Sequence, residues 1–452
     1  MELERDSLHL LERGLETLEK GFASLPALPP TGASISRMED VLVAAAERLH
    51  DNFPFFHPLY AGQMLKPPHP VARAAYAMAM WVNPNNHALD GGKASSAMER
   101  EAVAEIAAMF GWKTHLGHLT GGGTMANLEA LWVAGRVHPG KTTVASKQAH
   151  YTHERISAVL QQPFQAIPAD ALGRMDLQAL ERRLDQGDLG CVVATLGTTG
   201  FGAVDPLPAI LKLRDRYGFR VHADCAYGGY FTLAGNLEAP ARAAYDALTE
   251  VDSIVIDPHK HGLQPYGCGC VLFRDPAAGT FYKHDSPFTY FSSAEMHLGE
   301  ISLECSRPGA AAVALWATQR LMPLVPGGEF ATGLEAGRRA ALALAAELSQ
   351  DPDFVLAMQP ELDIVVWSVQ SDSASEASAL AQKVFDAAAK RDLHLALIRI
   401  PAAAVRPGES GFLRDRTEIL CLRSVLMKPE HEIWLAEVLS RLRAALADAR
   451  LS

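Results

Sequence analysis

At 452 residues the chain is too long for one compact core, and two or three structural units are expected. Hydrophobic residues make up 48% and charged residues 21%, the composition of an ordinary globular protein with a large core. The net charge of -11 argues against nucleic acid or an anionic membrane as a partner, because their phosphates would be repelled. No stretch approaches the roughly 18 unbroken apolar residues of a spanning helix, and Met1 to Lys20 lacks the basic and apolar regions of a secretion signal. Six cysteines in so long a chain do not make a disulfide framework. The cytoplasm is the expected compartment.

Residues 1–25 have the period of an amphipathic helix, closed by Pro26, Pro29 and Pro30, and Ser36 to His50 reads as a second helix. The stretch Phe53 to Pro70 is rich in proline, histidine and aromatics. It is too apolar for a free linker and is expected to pack against the protein or a second subunit. From about Met98, helical segments alternate with short β-branched runs at Thr142–Ser146, Cys191–Leu196, Phe219–Ala223 and Ser253–Ile256. Continuous apolar strands alternating with helices predict βαβ units and a parallel sheet covered on both faces. Cys268–Phe273 follows too soon for a crossover helix, which predicts an antiparallel return strand. Past Pro323, Pro326, Gly327 and Gly328 the pattern becomes helix (Gly333–Leu348), strand (Asp363–Ser368), helix (Glu376–Lys390), two strands (Leu393–Ile400 and Thr417–Ser424) and helix (Pro429–Ala447), a smaller α+β unit.

Ligands of open parallel sheets bind beyond the carboxyl ends of the strands. Here those ends are polar: His150 after the first run, Gly197-Thr198-Thr199-Gly200 after the second, Asp224 after the third and Asp257-Pro258-His259-Lys260 after the fourth. Four such ends are better explained by one shared site than by four accidents. Thr120-Gly121-Gly122-Gly123-Thr124 precedes a helical stretch, Met125–Val133. Glycines opening a helix let its free N–H groups close on a phosphate, although the same residues also suit a plain turn with Thr124 as helix cap. The loop is neither a Walker A loop nor a dinucleotide fingerprint. Asp224 could cap a helix, hold a metal or pair with a ring nitrogen. Lys260, directly after a buried strand and between His259 and His261, is expected to be partly desolvated and suited to Schiff-base chemistry. A phosphate, a pyridinium nitrogen, an aldehyde and a flat ring for His150 to stack on would satisfy all four parts at once.

Five segments carry a family resemblance: Leu119–Asn127 (LTGGGTMAN), Ser146–Thr152 (SKQAHYT), Ala194–Pro206 (ATLGTTGFGAVDP), His222–Gly229 (HADCAYGG) and Asp257–His261 (DPHKH). In this order they resemble the group II pyridoxal-phosphate-dependent amino acid decarboxylases of fold type I. The stretch Ser306–Gly309 and Trp316 look nearest to the archaeal tyrosine/aspartate decarboxylase and sphingosine-phosphate lyase branches. The resemblance implies an aspartate-aminotransferase-like α/β fold with a large, mostly parallel sheet of the seven-stranded type. It implies three units: an N-terminal helical dimerisation segment (1–85), a large cofactor domain (86–328) and a small C-terminal α+β domain (329–452). It implies pyridoxal 5'-phosphate as cofactor, no metal, and a homodimer with shared active sites that Phe53–Pro70 helps to build.

Carried over by motif, Lys260 bonds the cofactor aldehyde, His150 stacks on the ring and Ala226 contacts its other face. Asp224 pairs with the ring nitrogen. Gly123 and Thr124 take the phosphate with help from His259. Thr195 lies near the ring hydroxyl and Asp257 near the cofactor. Lys260, His150 and Asp224 are the catalytic set. Arg423 is a candidate for the substrate carboxylate, Tyr290 for a protonating aromatic on a shortened loop, and His57, Tyr60, His87 and Ser95 for the side-chain pocket. The implied reaction converts an L-amino acid to its amine and carbon dioxide. The alternatives are a carbon–carbon lyase of the sphingosine-phosphate lyase type, or an inactive binding protein on the same fold.

Overall fold

The computed structural model describes residues 5–27, 29, 34–283, 296–405 and 411–451. Its larger sheet contains β1 (Leu116–Thr120), β2 (Thr142–Ser146), β3 (Phe164–Ile167), β4 (Leu189–Thr195), β5 (Arg220–Asp224), β6 (Ser253–Ile256) and β7 (Gly269–Phe273). Their order is β1-β7-β6-β5-β4-β2-β3. The pairs β2/β3, β2/β4, β4/β5 and β5/β6 are parallel, while β7 runs antiparallel to both β6 and β1. The antiparallel return strand is where the short connection after Lys260 requires it. Strands β2, β6 and β7 are buried at every position, as a sheet sandwiched between helices demands. This is the α/β fold the motifs imply.

The smaller sheet is antiparallel, in the order β10-β11-β9-β8, with β8 (Phe354–Leu356), β9 (Ile364–Val369), β10 (Ala396–Pro401) and β11 (Glu418–Val425). Three helices, Glu329–Gln350, Ala374–Ala389 and His431–Leu451, pack with it around a core that holds the fully buried Trp367. The short strands β1, β3 and β8 lack a readable alternation and emerge only from the structure. β1 and β3 sit at the two edges of their sheet, and β8 at an edge of its own.

The Phe53–Pro70 stretch packs on its own chain. Ala61 N donates to His394 O (2.9 Å), His394 N to Leu59 O (2.9 Å) and Val425 N to Ala61 O (2.7 Å). Its backbone is thereby bonded to the residue before β10 and to the end of β11.

Candidate active site

The carboxyl ends of β2, β4, β5 and β6 and the loop after β1 surround a cavity of about 560 Å³. Among the residues bordering it are Gly121, Gly122, Gly123, Thr124, His150, Thr195, Asp224, Ala226, Asp257, His259 and Lys260. The structure therefore gathers at one cavity every cofactor-site residue the motifs single out. It does not bring His57, Tyr60, His87 or Ser95 to that cavity, and Tyr290 lies outside the described residues.

Lys260 stands in the connection between β6 and β7, its side chain 21% exposed. Its Nζ donates to Asp257 Oδ2 at 3.0 Å, so the amine is held by an ion pair as well as by partial burial. The other oxygen, Asp257 Oδ1, is buried with no hydrogen-bond partner among the described residues. His259 Nδ1 lies 2.7 Å from Cys268 O. A carbonyl only accepts, so Nδ1 carries the proton there. Burial, then the nearby Lys260 charge, lowers the His259 pKa. In the neutral ring Nε2 is therefore a bare acceptor.

The glycine loop is a cradle by necessity. Gly122 has φ +151°, which disfavours any side chain, and it caps the helix Gly123–Val137 without a side-chain hydrogen bond. A Cβ on Gly123 would lie 2.7 Å from Asp257 Oδ2, and one on Gly269 would lie 2.5 Å from Gly122 C. The first turn of this helix thus faces the lysine loop with uncapped N–H groups, the arrangement that binds a phosphate.

Asp224 ends β5, 4% exposed. Its Oδ1 accepts from Ala226 N (3.1 Å) and its Oδ2 lies 2.8 Å from His153 Nε2. Burial alone would raise the Asp224 pKa, but the His153 hydrogen bond and charge, with help from His222 and Ala226 N, outweigh it and hold the carboxyl well below the usual range. His222, on the same strand, is pushed down to about 3, chiefly by burial. It stands neutral between Asn127 Oδ1 (2.8 Å) and Ser253 Oγ (2.9 Å). His150 is likewise lowered, by burial first and then Lys260. His150 Nδ1 lies 2.8 Å from Thr152 Oγ1, which anchors that edge of the ring.

His153 went unread in the sequence. It follows His150 by three residues, in the first turn of the helix Thr152–Val159, and is 1% exposed. Its only sequence signal is its closeness to His150, three residues before it and just ahead of the helix start.

Thr195 pairs with Asp224 across β4 and β5, and its Oγ1 is buried without a hydrogen-bond partner among the described residues. Asp205 fixes this position by accepting from Thr195 N (2.8 Å) and from Met175 N (2.7 Å). Arg423 on β11 is placed differently from a free carboxylate receptor. Its guanidinium donates to Thr199 O (2.6 Å), Gly200 O (3.0 Å), Gly62 O (3.3 Å) and Gln63 Oε1 (3.2 Å). It ties the small sheet to the loop after β4.

The leftover polar atoms match one group. Uncapped helix N–H groups suit a phosphate, the ionised Asp224 a protonated ring nitrogen, the Thr195 hydroxyl a ring hydroxyl, and the Lys260 amine an aldehyde. The family described as "Pyridoxal-dependent decarboxylase conserved domain" matches residues 132–370. The chain belongs to this family. Pyridoxal phosphate is its cofactor, and the residues around the cavity fit it.

Among its relatives is the L-tyrosine decarboxylase of Enterococcus faecium, 29% identical over 394 residues, a match covering 65% of this chain and 64% of that protein. The L-aspartate decarboxylase of Thermococcus kodakarensis is 28% identical over 345 residues, covering 75% and 85%. The chain thus spans just under two thirds of the length of the tyrosine decarboxylase and more of the aspartate decarboxylase. Among solved structures, Oryza sativa TDC with PLP and tryptamine superposes with a TM-score of 0.77 at 18% identity, over 98% of this chain and 97% of that one. That likeness shows the fold.

Proposed function

We propose that this chain removes carbon dioxide from an L-amino acid, with pyridoxal phosphate held on Lys260. The observation that carries this reading is the convergence of Lys260, Asp224, His150 and Thr195 with the Gly122–Thr124 cradle on one cavity. When bound, the cofactor supplies an electron sink for the pair released as the carboxylate leaves.

The chain's own groups do the rest. Lys260 would bond the aldehyde, and Asp257 holds its amine in place before that. Asp224, kept ionised by His153, would hold a proton on the ring nitrogen. His150 and Ala226 would take the two ring faces, and Gly123, Thr124 and His259 the phosphate. His150 would also be the group that returns a proton to the reacting carbon. Arg423, by fixing the backbone of Thr199 and Gly200, shapes the wall of the cavity and serves the substrate indirectly.

We take the substrate to be an aromatic or acidic L-amino acid, a reading supported by the resemblance to tyrosine and aspartate decarboxylases. We further read the chain as a cytoplasmic homodimer with three units at 1–85, 86–328 and 329–452. Among the described residues no helix is long and apolar enough to cross a membrane. The helix Ile35–Leu49 has no buried residue, and Ile35, Val41, Leu42 and Leu49 are 63–81% exposed. An apolar face of this size is covered in solution by something, and a second copy is the partner at hand.

The test is carbon dioxide release by the pure protein with added pyridoxal phosphate, across aromatic, acidic and aliphatic L-amino acids. Release with one class, lost in Lys260→Ala, is the expected result. A yellow, cofactor-loaded protein that releases none from any member overturns the decarboxylase reading. Retained turnover in Lys260→Ala overturns the site.

A further inference from the structure

Asp363 is fully buried and stands directly before β9 in the small sheet. Its backbone is held there by Leu426 N, just past β11, which donates to Asp363 O at 2.8 Å. Its side chain serves the large domain instead. Oδ1 accepts from the Tyr227 hydroxyl at 2.5 Å, and Oδ2 lies 3.2 Å from His261 Nε2. The second contact is one of charge rather than an aligned hydrogen bond, since neither atom has a hydrogen-bond partner among the described residues. Both partners adjoin the cofactor residues in the chain. Tyr227 follows Ala226 and borders the cofactor cavity, and His261 follows Lys260. The Tyr227 and His261 rings meet at 4.7 Å, and His261 meets Phe231 at 5.1 Å.

One carboxylate from the small sheet therefore touches both segments that carry the ring-facing residues. Its charge also acts on Lys66, Arg423 and His431, from the Phe53–Pro70 stretch, β11 and the last helix. Burial alone would raise the Asp363 pKa, but His261 and Tyr227 outweigh it and lower the carboxyl. Burial, and then Asp363, raises Tyr227 well above its usual value, so the hydroxyl keeps its proton and donates. Burying a carboxylate is costly, and ion pairing seldom returns that cost in full. Apolar side chains would serve stability as well at this place. What the carboxylate adds is direction, because a hydrogen bond to a charged group fixes where Tyr227 points.

We propose that Asp363 is a positioning residue for the cofactor: it holds Tyr227 and His261, and through them sets the placement of Ala226 and Lys260 at the cavity. The inference rests on the site reading above, in which pyridoxal phosphate is held on Lys260. It does not depend on which bond the enzyme breaks, because its readout is the bound cofactor rather than carbon dioxide.

The test is fluorescence titration of the full chain with pyridoxal phosphate, joined to the visible circular dichroism of the bound cofactor, which reports the tilt of its ring. Tyr227→Phe keeps the ring but removes the hydroxyl. It is expected to weaken cofactor binding about tenfold, the worth of one hydrogen bond to a charged group, and to reduce the dichroism. Asp363→Leu should do at least as much, while Asp363→Asn, which keeps an acceptor for Tyr227, should stay within about threefold of wild type. His261→Phe keeps a ring against Phe231 and is expected to weaken binding by less, roughly threefold. Combining Tyr227→Phe with Asp363→Leu should be no worse than Asp363→Leu alone, because both remove the same bond. Wild-type affinity and dichroism in Tyr227→Phe overturn the proposal, whatever that variant's stability in urea, and this variant decides the matter should Asp363→Leu fail to fold. Full additivity in the double variant overturns it too, since Tyr227 would then act on the cofactor without Asp363. Wild-type values in His261→Phe overturn the link to Lys260. A wrong site reading shows differently, as a Lys260→Ala protein that keeps the wild-type cofactor spectrum.

Discussion

Replacing His153 by phenylalanine removes the one side chain that bonds Asp224 among the described residues. The bond lost is a buried 2.8 Å contact to a carboxylate. Hydrogen bonds to charged groups contribute about 1.5–3 kcal/mol, and 1.36 kcal/mol corresponds to one pKa unit, so the Asp224 pKa is expected to rise by roughly one to two units. Asp224 stays ionised near neutral pH but loses the bond that orients it toward the cofactor ring nitrogen, and losing the full worth of that bond there would weaken its hold on the ring proton about 10- to 100-fold. The expected signature is a fall in kcat of that order with KM little changed, together with a displaced pH midpoint in the visible absorbance of the Lys260-linked cofactor. His153→Gln keeps an N–H donor and should recover most of both. The stability sign is also fixed. Asp224 is depressed in the folded state, so its contribution is present above the unfolded carboxylate range near pH 4 and is lost as pH falls below it. The stability gap between wild type and His153→Phe should therefore narrow in acid. A phenylalanine variant whose kcat and absorbance midpoint both match wild type within about twofold would refute the reasoning, since that is under half a pKa unit.

Two further outcomes are expected. Gly123→Ala places a methyl group 2.7 Å from Asp257 Oδ2, so the helix start or Asp257 must shift; cofactor affinity, read by fluorescence titration, should fall about tenfold or more with an overpacking loss near 1–3 kcal/mol in urea. His259 is lowered in pKa and its Nδ1 proton is committed to Cys268 O, so a phosphate arriving at Nε2 should draw a proton onto the ring. Cofactor binding near neutral pH should accordingly take up a proton, measured as a buffer-dependent heat, and His259→Asn should abolish that uptake.

The polar ends of four strands were legible without coordinates. A buried parallel strand has few reasons to end in histidine, aspartate or lysine, and the rule that ligands sit at such ends made Lys260, Asp224 and His150 one site, to which the family resemblance added Thr195. The antiparallel β7 was legible too, because so short a connection permits nothing else. Helix and strand limits in the small domain were read to within a few residues at most ends, as at β9, expected from Asp363 and observed from Ile364. The edge strands β1 and β3 were not readable, since short edges carry little periodicity.

What the sequence alone determined is therefore the chemistry: which residue types stand at which strand ends, and so which cofactor they suit. What only the tertiary structure decided is who faces whom. The edge position of β1 beside β7 is what lays the Gly121–Gly123 cradle against the lysine loop. The fold of the loop after β2 is what turns His153 behind Asp224, across the intervening β4. Packing against the loop after β4 is what commits Arg423 to the carbonyls of Thr199 and Gly200. Each of these is a contact between residues far apart in the chain, and local pattern carries no term for such distances.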